Sequence, residues 1–221
     1  MTDERTDEYW VERYLAGETD AFDHLVHRTQ NRLYPTIQRI VGSRDEALDV
    51  LQETYLKVFR NIRRFQRGCS FYTWVYRIAV NQAISSRRKR KLPNFRIAGT
   101  ADTGSHEFEP LDPSSAGSGL DNLLRAERVK LVDDTLRSLP PAWTAVLVMC
   151  DYDELRYDEI AAVLDVPIGT VRSRIHRARE ELRKRLEPLL KDDFDLSPTD
   201  DPRRGPAPIA SADDPPNKNR P

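Results

Sequence analysis

The chain has 221 residues, room for one large or two small domains, with 38% of them hydrophobic and 32% charged. Thirty-five Lys+Arg against 36 Asp+Glu leave a formal net charge of −1, which as an average argues against a nucleic-acid binder. No run reaches the ~18 apolar residues of a membrane span, and Cys69 and Cys150 lie outside any CxxC or CxxH context; membrane insertion, a disulfide scaffold and a cysteine zinc site are therefore not expected, and a cytoplasmic setting is.

The acidic opening MTDERTDEYW lacks the pattern of a signal peptide. Residues 1–23 hold eight acids and two arginines, net −6. A first amphipathic helix is predicted over 45–62, with Ala47, Leu48, Leu51, Tyr55, Val58 and Ile62 on its inner face and Glu46, Asp49, Glu53, Leu56 and Arg60 on the other. Asp49 and Glu53, four apart, put two carboxylates on one exposed side next to Leu56. That pattern suits docking to a basic protein surface, although a solvated helix face has the same look.

Next comes RFQRGCSFYTWVYRIAVNQAISSRRKRK, residues 64–91. Gly68 permits a tight loop. Phe59, Phe65, Phe71, Tyr72, Trp74 and Tyr76 form an aromatic cluster, and Trp74, Arg77, Asn81, Ser85 and Arg88 share one helical stripe. Aromatics followed by a basic end (RRKRK, net +5) are what single-stranded nucleic acid asks for, stacking platforms beside phosphate attraction. Phe71, Trp74 and Ile78 also make a plain core stripe, and Trp74 is read as structural. Residues 93–121, with Pro93, Pro110, Pro113, Gly and Ser, read as a flexible linker of net charge −4.

The segment YDEIAAVLDVPIGTVRSRIHRARE carries the strongest pattern. Ile160, Ala161 and Leu164 give a short helix its inner face, Asp165-Val166-Pro167 breaks it, and a second helix follows with Val171, Ile175, Ala178 and Leu182 inside. Its outer arc holds Arg172, Ser173, His176 and Arg177, and residues 170–185 are net +5. A helix fits the DNA major groove, and helix-turn-helix proteins present such residues from the first turns of the second helix. His176 has no partner at a metal-ligand or acid-base spacing. Residues 191–221 hold seven of the 15 prolines and read as a disordered tail.

Together these blocks resemble the extracytoplasmic-function (ECF) sigma factors of bacterial RNA polymerase. The match rests on AFDHLVHRTQNRLY, DVLQETYLKVFRNIRRF, FYTWVYRIAVNQAI with its basic end, and SLPPAWTAVLVMCDYDELRYDEIAAVLDVPIGTVRSRIHRARE. The resemblance implies an all-α chain of two small helical domains joined by a flexible linker. A region-2-like domain would occupy residues 1–92, the linker 93–121, a region-4-like helix-turn-helix domain 122–190, and the tail 191–221. It implies that Asp49, Gln52, Glu53 and Leu56 grip the clamp helices of the polymerase β′ subunit. It places Phe65, Gly68, Cys69, Ser70, Phe71, Asn81, Arg87, Arg88 and Lys89 at the promoter −10 element, where the loop holds a flipped base. Thr170, Arg172, Ser173, Arg174, His176 and Arg177 would read the −35 element.

The implied partners are core RNA polymerase, promoter DNA and an anti-sigma factor; no cofactor, metal or catalytic residue is implied. Cys69 and His176 depart from what many relatives carry, and both positions bear on promoter preference. Two other classes remain open: a helix-turn-helix regulator acting on duplex DNA without polymerase, and a nucleic-acid enzyme. The latter would need a nucleophile or acidic metal cluster near the basic patches, and neither block provides one convincingly.

Overall fold

The computed structural model describes residues 5–66, 68–90 and 119–188, the stretch 119–125 by its backbone alone. Eight α-helices make up the described part: α1 (Asp7–Leu15), α2 (Ala21–Val41), α3 (Arg44–Asn61), α4 (Phe71–Arg90), α5 (Gly119–Ser138), α6 (Pro141–Leu147), α7 (Tyr157–Leu164) and α8 (Ile168–Leu186). A 3-10 turn, Ile62–Arg64, follows α3, and a π turn, Val148–Tyr152, extends α6. No β-strand occurs among the described residues. The linker expected at 93–121 and the tail at 191–221 fall almost wholly outside them; α5 already begins at Gly119.

Local chemistry fixes the helix ends. Thr6 caps α1 by accepting the Tyr9 N–H, Ser43 starts α3 ahead of Asp45 and Glu46, and Ser70 Oγ accepts the Thr73 N–H at 3.1 Å at the start of α4. The last turn of α4 carries Arg87, Arg88, Lys89 and Arg90, whose cations complement the negative end of the helix dipole. Gly42 ends α2 with φ 89°, a left-handed conformation natural to glycine.

Helix α2 runs through the first block, with Leu25, Leu33, Ile37 and Ile40 essentially fully buried against Val50 and Val58 of α3 and Phe71, Val75 and Val80 of α4. Thr29 and Thr54 are buried too, each donating its hydroxyl to the carbonyl four residues earlier. Tyr55 lies 2.7 Å from the Thr29 hydroxyl, and burial pushes its phenol up to about 12. The buried face of α3 is Ala47, Val50, Thr54 and Val58, rotated from the predicted one. Leu48, expected inside, is 49% exposed. Thr54 is admitted to the core because its hydroxyl is satisfied within the helix, which hydrophobic periodicity does not register.

In the second block Leu139, Val146, Leu147 and Met149 pack against Ile160 of α7 and Val171, Ile175 and Ala178 of α8. Tyr157, Ile160 and Val163 are the buried residues of α7, while Ala161 and Leu164, expected inside, are only partly covered. Asp165 closes α7 with φ 52° and ψ 54°. Aspartate tolerates that left-handed turn and a β-branched residue does not. Asp165→Val is expected to cost about 1–2 kcal/mol in urea unfolding, with Asp165→Gly retaining stability; equal stability of all three chains would remove the strain argument.

The two blocks touch. Helix α4 packs on α6 and α7, and α2 packs on α5 and the π turn, so the buried apolar residues form one connected cluster.

Candidate functional site

Three surfaces carry the residues singled out by sequence. On α3, Asp49, Gln52, Glu53 and Leu56 are all exposed, Leu56 at 48%. Leu48 and Phe59, the latter 52% exposed, extend the same side into an apolar strip rimmed by carboxylates. The Phe59 ring meets Phe22 and Tyr14 edge-on at 5.3 and 5.9 Å, which fixes its direction. Sequence reading missed Leu48 and Phe59 as surface residues. The 48, 52, 56, 59 spacing was the available signal, since those positions stack on one helix face. Glu53 is less free than Asp49: Gln82 of α4 donates to its carboxylate and in turn accepts from Lys57.

The second surface is the loop before α4 and the helix itself. Phe65 is half-buried, its ring 5.3 Å from Trp74 and 5.7 Å from Phe71. Gly68 and Ser70 are exposed and Cys69 is half-buried. Phe71, placed by the resemblance at the −10 element, has no exposed surface; it is a core residue here, because the first turn of α4 aims it inward beneath Phe65. Trp74 packs on both phenylalanines in keeping with a structural role. Asn81 is exposed, with its amide donating to the Arg77 carbonyl at 2.9 Å and to the Val163 carbonyl of α7 at 3.3 Å.

The four cations ending α4 are not equivalent. Arg88 and Lys89 are exposed, and Arg90 pairs with Glu46 at 2.8 Å. Arg87 is only 3% exposed. Its Nη2 donates to the carbonyls of Arg137 and, at 3.2 Å, Leu139, while Nη1 has no acceptor. Burial, reinforced by the neighbouring Arg90 charge, lowers the Arg87 pKa from its ordinary value.

The third surface is α8. Ser173, His176 and Arg177 are exposed, and Thr170, Arg172 and Arg174 are half-exposed. Ser173 Oγ donates to the Thr170 carbonyl at 3.0 Å, and Arg172 Nε, a buried atom, has no acceptor. His176, expected from sequence to lack a carboxylate partner on its face, lies 3.5 Å from Glu180, one helical turn further along α8. Arg179 is held at 2.8 Å by Asp151 of the π turn, which ties α8 to the rest of its block. Among the described residues no group of three or more His, Cys, Asp or Glu is placed to hold a metal ion, and no helix is long and apolar enough to cross a membrane.

Among the described residues, an acid-rimmed apolar strip on α3, an aromatic loop before α4 and a basic outer arc on α8 stand on one helical frame. Residues 25–92 match the model of sigma-70 region 2, and residues 130–182 match that of sigma-70 region 4. The ECF RNA polymerase sigma-E factor of Haemophilus influenzae is 37% identical over 196 residues, covering 86% of this chain and all of the relative. The RNA polymerase sigma-H factor of Pseudomonas aeruginosa is 36% identical, covering 87% of this chain and all of that one.

Among solved structures, CnrH in complex with the cytosolic domain of CnrY has a TM-score of 0.55 at 23% identity, covering 85% of this chain and 99% of that one. The sigma factor RpoE in complex with the anti-sigma factor NepR, from Bartonella quintana, has a TM-score of 0.53 at 21% identity, covering 75% and 96%. The chain belongs to the sigma-70 family, in its ECF group, and directs promoter-specific transcription initiation.

Proposed function

We propose that the exposed strip of α3, Asp49, Gln52, Glu53 and Leu56 with Leu48 and Phe59, docks on the β′ clamp helices of core RNA polymerase. The loop Phe65–Ser70 with Asn81, Arg87, Arg88 and Lys89 then meets the −10 element, and Thr170, Arg172, Ser173, Arg174, His176 and Arg177 meet the −35 element. The first domain spans 1–92 and the second 122–190, the protein acts in the cytoplasm, and it contributes no catalytic group to the polymerase. An anti-sigma partner is part of this reading, by extension from the RpoE–NepR complex.

The observation that carries the reading is the outer arc of α8, where Ser173, His176 and Arg177 stand exposed beside the half-exposed Arg172. Run-off transcription with core polymerase on a library of genomic fragments tests it: discrete transcripts that need the added chain are expected, and their absence would overturn the reading. Arg172→Ala is expected to cost about 1–3 kcal/mol of promoter affinity and to relax specificity at a single −35 base. Binding measured across single-base promoter variants checks this, and a uniform loss would make Arg172 a phosphate contact.

A further inference from the structure

We propose that Ile168 is a specificity-determining residue of the promoter interface, its side chain packing on the C5 methyl group of a thymine in the −35 element. The inference rests on the reading of α8 as the −35 helix. It adds an apolar contact to the polar ones assigned there.

Ile168 is the first residue of α8, directly after Pro167. The Pro167 carbonyl accepts the Thr170 N–H at 2.8 Å and the Val171 N–H at 3.3 Å, which closes the first turn and holds Ile168 in helical register. Helix spacing then puts Ile168 between two sets of side chains. Seven residues before Ile175, it lies within about 20° of the inward stripe; four before Arg172, it lies within about 40° of the outer arc. Hydrophobicity alone sends it inward, with Val171 and Ile175, the latter 2% exposed. Instead Ile168 is 40% exposed. The first turn is also open at Gly169, where an added Cβ would meet no atom of the described residues within 4 Å. Slimness of this kind lets the turn approach base edges closely.

The position selects the chemistry. Residues at the start of a recognition helix contact base edges, and the apolar group that the major groove displays is the thymine methyl. Arg172, one turn later, offers donors suited to guanine O6 and N7. Ile168 has no polar side-chain atom and gains only by taking apolar surface out of water. In a helix its branched side chain is held near one χ1 rotamer, so little freedom is lost when it makes contact.

Geometry also limits where the thymine stands. Four residues rise about 6 Å along α8, close to two base-pair steps of about 3.4 Å each. The thymine is therefore one to three pairs from the base that Arg172 reads. 5-Methylcytosine carries its methyl at the same C5 position, so the contact accepts it and discriminates against plain cytosine.

The experiment uses the complex of the full chain with core polymerase, on the strongest promoter recovered by run-off transcription from the genomic fragments. Duplexes of that promoter are made with each thymine of the upstream element replaced in turn by deoxyuridine, which removes only the methyl. Affinity is expected to fall about fourfold at one position, the factor that burial of one methyl group provides. Ile168→Ser should bind the thymine and uracil duplexes equally there, and Ile168→Val should keep most of the preference. At the same position, a pair bearing 5-methylcytosine should bind the unsubstituted chain about fourfold better than one bearing cytosine, and Ile168→Ser no better. Ile168 is exposed, so the free Ile168→Ser chain should melt at nearly the unsubstituted temperature. The uracil scan of the unsubstituted chain depends on no variant at all.

A flat uracil scan overturns the proposal, and so does a methyl preference that survives in Ile168→Ser. If Arg172→Ala relaxes a −35 base while Ile168→Ser changes none, the methyl contact alone falls and α8 keeps its role. If neither variant changes preference at any upstream base, the reading of α8 falls with it.

Discussion

With Leu56 replaced by arginine and Asp49 by lysine, affinity for core RNA polymerase is expected to fall about a hundredfold, or about 2.7 kcal/mol, while the melting temperature of the free chain barely moves. Leu56 is about half exposed and Asp49 is on the open side of α3, so neither belongs to the core of the free protein. An apolar side chain ringed by carboxylates is the form that energetic anchors take at interfaces, and burying a reversed charge there leaves it without compensation. Titration of labelled chain with core polymerase reads the loss, and binding to a −35 duplex, the role proposed for α8, serves as the control. Losses in both measurements would move the docking surface away from α3. Asp49 is a cleaner choice than Glu53, whose carboxylate also holds Gln82 of α4 and would report on packing as well.

Phe71→Ala is expected to cost about 3–5 kcal/mol, a large share of the roughly 5–15 kcal/mol that stabilises a typical domain. The ring is fully buried at the start of α4 and supports both Phe65 and Trp74. Loss of the ring therefore leaves a cavity under the loop as well as a weakened core. Urea unfolding should show a lowered midpoint, and the loop should lose order along with it. A cost under about 1 kcal/mol would mean that the ring is not packed as described, and would return Phe71 to the promoter-facing set.

Much of this was legible in the sequence because it is local. The turn at Asp165–Pro167 and the apolar stripe of Val171, Ile175 and Ala178 follow from helix spacing and proline geometry, and both are in the structure. The exposed carboxylates of α3 were legible for the same reason. Leu48 was misplaced because a leucine next to an apolar stripe is assigned to it by hydrophobicity, whereas Thr54 took the inner position through a hydrogen bond along its own helix. The fate of Arg87 was not legible. A basic run reads as one patch, but which of its members faces out depends on carbonyls some fifty residues later in the chain. The same holds for Asp153, which finds its donors 117 and 77 positions away. The near-zero net charge with which the chain first presents itself was a poor guide, since two compact basic sites are balanced by acids distributed elsewhere.

The π turn at Val148–Tyr152 sets a limit on how this chain can vary in length. Such a turn is equivalent to one residue inserted into an α-helix, and each residue turns a helix by about 100°. Its extra residue lets Asp151 reach Arg179 within the second block while Asp153 faces the first. A lineage that lost one residue here would keep its helices and much of its core, yet the two aspartates could no longer serve different neighbours. Shortening at this point is therefore a change in how the halves of the molecule are coupled, even where composition and helix content stay the same.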